Sequence, residues 1–228
     1  MKIIVTNIGK RFNREWIFRH LDFEFTNGYS YAIIGPNGSG KSTLLQVIAG
    51  AMAESEGKIS YEMPVVSHRA VHSSNTETAT NSSLSGLRPL SPDFVYQNIS
   101  IATPYLELIE EMTLTEFLQF HQIFKPFISG IDLIRIISEI GLQKSAHKQI
   151  RYFSSGMKQR VKLAQAFFSA TPVLMLDEPC TNLDEEGVAM YHQLIKTYAK
   201  DRIVIISSND LQEYDFCRER INMNDYKK

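Results

Sequence analysis

Apolar residues along this chain gather in short runs, and their spacing divides it into three stretches. Lys2–Thr6, Leu21–Phe25, Tyr29–Ile34 and Lys58–Tyr61 are brief β-favouring runs separated by polar residues or glycine. Between residues 67 and 92 the pattern gives way to Ser, Thr and Asn, which predicts a flexible surface insertion too polar to build a core. Order resumes at Phe94–Ala102. From Leu106 to Lys148 the spacing is mostly helical: Leu114, Phe117, Leu118 and His121 recur at three and four, as do Ile136, Ile137 and Ile140. Gly130 and Gly141 break this region into pieces. Val173–Leu176 then reads as a buried parallel strand, Asp184–Ala199 as a helix, Arg202–Ser207 as a second buried strand and Glu219–Met223 as a last one. Strands at both ends around a helical middle predict an α/β core with an inserted helical lobe.

Composition narrows the classes without choosing among them. Apolar residues make up 43% and charged residues 21%, ordinary values for a globular chain of 228 residues. A net charge of −1 gives no electrostatic reason to expect nucleic acid as a partner. Cys180 and Cys217 form no metal or disulfide pattern, which favours a reducing compartment, and Cys180 reads as inert packing. His68, His72 and His147 show no ligand spacing, and the histidines read as surface residues. No apolar run approaches the roughly 20 residues needed to cross a bilayer. The opening Met1–Asn7 reads as a strand rather than a signal peptide. The expectation is a chain soluble by itself, whose membrane role, if any, comes through a partner.

Candidate chemistry concentrates in a few places. The first is Gly35-Pro36-Asn37-Gly38-Ser39-Gly40-Lys41-Ser42-Thr43, which follows the apolar Tyr31–Ile34 and opens into the helix-forming Leu44–Ala49. Strand, glycine-rich loop and helix in that order are the context of a phosphate-binding loop. The glycines let the backbone turn its N–H groups inward, and the helix start adds its dipole and free N–H groups. Lys41 is placed to reach β- and γ-phosphates and the Ser42 hydroxyl to ligate Mg²⁺. The second place is the end of Val173–Leu176, where Asp177 and Glu178 stand at the edge at which α/β sheets bind ligands. Asp177 suits Mg²⁺ through water, and Glu178 suits a general base for an attacking water. The third is Ser154-Ser155-Gly156 at the start of a strong helix, Lys158–Phe168, which by itself reads as an N-cap.

Four ordered blocks, GPNGSGKST at 35–43, FSSGMKQR at 153–160, VLMLDEP at 173–179 and TNLD at 181–184, resemble the ATP-binding cassette (ABC) ATPase family over nearly all of the chain apart from 67–92. The resemblance implies an α/β P-loop NTPase fold: a parallel-sheet core, an N-terminal antiparallel β subdomain and an inserted helical lobe. It divides residues 1–228 into a nucleotide core (1–104 and 171–228) and a lobe (105–170) that carries the FSSGMKQR block. It also implies ATP and Mg²⁺ as ligands. Phe12, 29 positions before Lys41, would stack on adenine, with Trp16 as the fallback. Ser154 and Gly156 would grip a γ-phosphate bound to a second cassette, most simply another copy, so that ATP joins two head-to-tail subunits. Thr181–Asp184 would cross that interface, and the lobe, including Leu106–Phe127, would meet a transmembrane permease from the cytoplasmic side of the membrane. The short chain looks like small exporter-type cassettes, including the haem-exporter-like group, without fixing import against export. The implied function is an ATP-hydrolysing transporter subunit.

Three departures from the family pattern bear on turnover. Phe153, Ser155 and Met157 stand where Leu, Gly and Gln are usual. The glutamine of the loop between core and lobe is missing: its position falls at Pro104 or Tyr105, and Gln97 lies about seven residues too early. The switch histidine is replaced by Asn209, which can donate a hydrogen bond to a phosphate oxygen but carries no proton or positive charge. These departures raise a second expectation, a nucleotide-switched regulatory or assembly subunit with little turnover.

Overall fold

The computed structural model describes residues 1–65 and 86–227, which fold around two sheets. The first is antiparallel. Strands β1 (Lys2–Phe12) and β2 (Glu15–Thr26) form a hairpin about Asn13, whose φ of 55° suits the tight turn. With β4 (Glu56–Pro64) and β5 (Leu87–Pro89) the order is β2-β1-β4-β5. Ile3, Val5, Ile8, Phe18, Leu21 and Phe25 fill its inner face.

The second sheet is parallel and holds the centre. It takes β3 (Ser30–Ile34), β6 (Ile99–Ala102), β7 (Val173–Asp177), β8 (Ile203–Ser207) and β9 (Glu219–Asn222) in the order β6-β7-β8-β3-β9. Every residue of β7 and β8 is buried, because both faces are covered. Val173, Met175, Ile203 and Ile205 join a core with the antiparallel sheet and helix α1 (Lys41–Ile48). The alternate residues Leu174, Leu176, Val204 and Ile206 face the opposite core. There they meet α2 (Leu114–Phe124), α3 (Leu133–Glu139), α4 (Ser155–Phe168) and α5 (Glu185–Tyr198). A short α6 (Leu211–Tyr214) follows β8. The parallel core, antiparallel sheet and helical middle match the expected fold class.

Several boundaries differ from the sequence reading. The expected insertion falls outside the described residues over 67–85, together with His68 and His72. Its last residues are structured: Leu87, Arg88 and Pro89 pair with Pro64, Met63 and Glu62. Leu106–Lys148 is less helical than its spacing suggests. The chain runs through turns to Thr113, where a capping box with Glu116 starts α2. Phe94–Ala102 splits into a 3₁₀ turn, Pro92–Asn98, and strand β6. His147 is exposed as expected, but His121 is not a surface residue. Its ring stacks between Phe117 and Phe127, and burial pushes its pKa down to about 4.

Candidate functional site

Register brings the sequence-distant candidates to one edge. Asp177 of β7 pairs with Ser207 of β8, and Ser207 with Ile33 of β3. The carboxyl ends of the three central strands therefore finish in a row. The glycine loop leaves β3 there, Glu178 leaves β7, and Asn209 follows β8.

The loop is shaped by its glycines. Gly35, Gly38 and Gly40 have φ of 147°, 75° and 96°, backbone that side-chain-bearing residues rarely adopt. A Cβ on Gly40 would stand 2.4 Å from Ile17 Cγ2, whereas one on Gly38 would meet nothing within 4 Å. Gly40 is thus wedged against β2 while Gly38 faces open space. Lys41 is only 5% exposed, and its Nζ donates to the carbonyls of Gly35 (2.9 Å) and Pro36 (3.3 Å). The ammonium is held over the loop, where a phosphate tail would meet it together with the N–H groups of the α1 start. Asn37, Gly38, Ser39, Gly40, Lys41, Ser42 and Thr43 line one cavity, joined by Ile17, Tyr105 and Glu178.

At the acidic end, Asp177 is 2% exposed and its Oδ1 is buried without a hydrogen-bond partner. A buried, unpartnered carboxylate oxygen fits Mg²⁺, which prefers hard oxygen ligands and few protein groups. Among the described residues no cluster of three or more His, Cys, Asp and Glu offers a rival all-protein metal cage. Glu178 adopts φ of 45°, a left-handed backbone, with its N–H on the Ser207 carbonyl at 2.8 Å. That turn aims the residue at the loop cavity rather than along the strand. Asn209 lies across the same edge, its Nδ2 donating to Asn37 Oδ1 at 3.2 Å.

Ser154 and Gly156 lie elsewhere. Ser154 caps α4 by accepting the Met157 N–H at 3.2 Å. A Cβ on Gly156 would come within 2.8 Å of the Asn182 carbonyl oxygen, so only glycine lets the helix start sit this close to the 181–184 loop. Both line a cavity with Met157, Arg160, Asn182 and Asp184 that shares no residue with the phosphate-loop cavity. Asp184 is taken up locally: its Oδ1 accepts the Gly187 N–H at 2.8 Å, capping α5, and meets Arg160 Nη2 at 2.9 Å. The Gly187 amide and then Arg160 hold its carboxyl below the ordinary range.

The remaining candidates separate. Phe12 is 46% exposed at the hairpin tip under the Lys10 ammonium and does not line the loop cavity; Ile17 does, and Trp16 lines the adjoining one with Gly38. Gln97 is exposed and bonded to the Tyr96 hydroxyl. Tyr105, at one of the two positions expected for the family's glutamine, lines the loop cavity and also a groove with Glu110, Lys158 and Lys162. Cys180 packs against the core with its thiol pushed well above the ordinary range by burial. Sequence reasoning covers Arg160 and Asn182 only as members of the FSSGMKQR and TNLD blocks, with no role of their own, and misses Glu213. For Arg160, its presence one turn beyond the Ser154–Gly156 helix start was the available signal.

Known proteins resemble this chain in sequence and in fold. Residues 18–181 match the family model described as ABC transporter. An uncharacterized ABC transporter ATP-binding protein of Bacillus subtilis, YybJ, is 27% identical over 97% of this chain and 92% of its own. The putative hemin import ATP-binding protein HrtA of Staphylococcus aureus is 27% identical over 100% and 97%. A putative ABC transporter ATP-binding protein from Pyrococcus furiosus shares the fold with a TM-score of 0.77 at 17% identity, covering 100% of both chains. A dimeric bacterial ABC transporter cassette, MJ0796, does so with a TM-score of 0.73 at 20% identity, over 97% and 94%. With a family match across most of its length and the fold to go with it, this chain belongs to the ABC transporter family.

Proposed function

We propose that this chain binds and hydrolyses Mg²⁺–ATP as one of a pair of cassettes, most simply two copies, and that closure of the pair drives a separate transmembrane permease from the cytoplasmic face. The observation that carries the pairing is the separation of the two cavities. The phosphate loop and the Ser154–Gly156 face share no lining residue, which supports a reading in which one chain alone does not present both to one triphosphate. A head-to-tail partner would. The whole chain, 1–228, is taken as one cassette, with residues 105–170 as the lobe that meets the permease. Among the described residues no helix is long and apolar enough to cross a membrane, which agrees with a peripheral subunit.

Each residue then has a task. Lys41 and the loop N–H groups hold the phosphates and offset their charge. Glu178 takes the proton from the attacking water. Asn209 donates its amide N–H to a phosphate oxygen. Ser42 and Asp177 would hold Mg²⁺, which when bound neutralises phosphate charge. Ser154 Oγ and the Gly156 N–H of the partner cap the γ-phosphate. Purified protein should show Mg²⁺-dependent ATPase activity that Lys41→Ala and Glu178→Gln each abolish. Robust hydrolysis persisting in both variants refutes the proposal.

A second reading, a nucleotide-switched regulatory or assembly subunit, draws on Asn209 and Tyr105. Loss of one transition-state contact costs several kcal/mol, and about 1.36 kcal/mol is tenfold in rate. Single-turnover kinetics of Asn209→His decide: acceleration favours the switch, while an unchanged and already fast wild-type rate removes it.

A further inference from the structure

Glu213 lies on α6, four residues after Asn209, and is only 4% exposed. Its Oε1 accepts the backbone N–H of Cys180 at 2.7 Å, and its carbonyl accepts the buried Tyr191 hydroxyl of α5 at 2.6 Å. Its Oε2 is buried and finds no hydrogen-bond partner among the described residues. The residue also lines a cavity of about 300 Å³ shared with Glu178, Thr181 and Asn209. Holding a carboxyl group there is unfavourable unless the bond it makes matters.

What that bond reaches is a turn under strain. Glu178 has φ of 45°, and its carbonyl accepts the Thr181 N–H at 3.1 Å to close the turn over Cys180. Asn182, two residues beyond Cys180, is again left-handed at 64°. Side-chain-bearing residues hold such backbone only where their surroundings over-determine it. Three bonds from outside the turn do this. Gln159 Nε2 of α4 donates to the Pro179 carbonyl at 2.8 Å, Glu178 N–H donates to the Ser207 carbonyl of β8, and Cys180 N–H donates to Glu213. The last two lead to the segment that carries Asn209.

We propose that Glu213 is a positioning residue for ATP hydrolysis: its buried carboxyl group braces the strained turn that carries Glu178 and fixes that turn, with the 181–184 loop, to the Asn209 segment. The proposal rests on the hydrolytic reading above, and its test has one arm that does not. Glu213→Leu removes the acceptor, while Glu213→Gln keeps an amide oxygen for the same N–H. A hydrogen bond to a charged group is strong enough for its loss to read as about tenfold or more.

In Glu213→Leu, hydrogen exchange at the Cys180 amide should rise tenfold or more. Its kcat should fall about as far, with KM and the Kd for ATP within about twofold of wild type. Glu213→Gln should stay within about threefold of wild type in both readouts. Unchanged exchange in Glu213→Leu overturns the brace, as does a kcat loss matched by lost ATP affinity, or a Gln variant as damaged as the Leu one. If the wild type does not turn over ATP, the hydrolytic reading fails, and the exchange arm alone still decides whether Glu213 holds the turn.

Discussion

Gly156→Ala tests whether two loops on the signature face must sit as close as they do. The added Cβ would stand 2.8 Å from the Asn182 carbonyl oxygen, and ordinary contact begins at 3.4 Å, so the two must part by about 0.6 Å (3.4 − 2.8). That oxygen is main chain and has no rotamer to escape into. Overpacking of this kind costs about 1–3 kcal/mol. Against it, replacing a helical glycine by alanine recovers about 0.5–1 kcal/mol. The net loss of stability is therefore about 0–2.5 kcal/mol, and the variant folds. Its phosphate loop is untouched, so ATP affinity of the isolated chain should hold within about twofold. Pairing should not. Asn182 belongs to the loop proposed to cross the interface, and a misplacement approaching 1 Å is able to cost up to about 100-fold where geometry is critical. In a Glu178→Gln background, sedimentation with Mg²⁺–ATP should show dimerisation weakened at least about tenfold. Dimerisation equal to the parent, with the variant folded and binding ATP, refutes the reasoning.

Two further outcomes concern the scaffold. His121 has its pKa lowered from 6.5 to about 4 by burial, then by Lys125. The unfolded chain therefore binds its proton more readily, and the stabilisation present above pH 6.5 is lost as pH falls towards 4. Allowing for its partial exposure, that loss is about 1–2 kcal/mol, and the drop in Tm between pH 7 and pH 5 should shrink in His121→Gln. Arg202, 7% exposed, donates to the Phe167 carbonyl at 2.9 Å and to Ser100 Oγ and Thr171 Oγ1 at 2.6 Å each. Arg202→Ala strands these acceptors beside a cavity and should cost about 3 kcal/mol or more in urea unfolding; a loss under about 1 kcal/mol would mean the network relaxes.

Chemistry that is contiguous in sequence was legible. Residues 35–43 and Asp177–Glu178 announce themselves because a phosphate loop and a strand-ending acidic pair are local patterns. The buried parallel strands were legible because β7 and β8 are apolar along their whole length. The hairpin was underestimated because its outer halves are polar and owe their order to cross-strand bonds. The start of α2 was placed too early because apolar spacing overruled the Thr113–Glu116 capping box, which marks the true start. The individual role of Asn182 within its loop, and Glu213 altogether, escape the sequence for a different reason. Their importance lies in which backbone atoms they approach, and no spacing of residue types records that.

The place of strand β3, fourth of the five in the parallel sheet, has a consequence for biosynthesis. Strand β3 is flanked by residues 203–207 on one side and 219–222 on the other. A nascent chain that has just displayed the glycine loop has Phe23 and Phe25 of β2 to pack on Tyr31, but no strand to pair with β3. The loop's supporting strand gains strand neighbours only after some 170 further residues leave the ribosome (204 − 30 = 174 for the Ser30–Val204 pair). Nucleotide is thus a ligand of the nearly completed polypeptide, and long-range pairing of this kind makes assembly slow and dependent on protection in the interval.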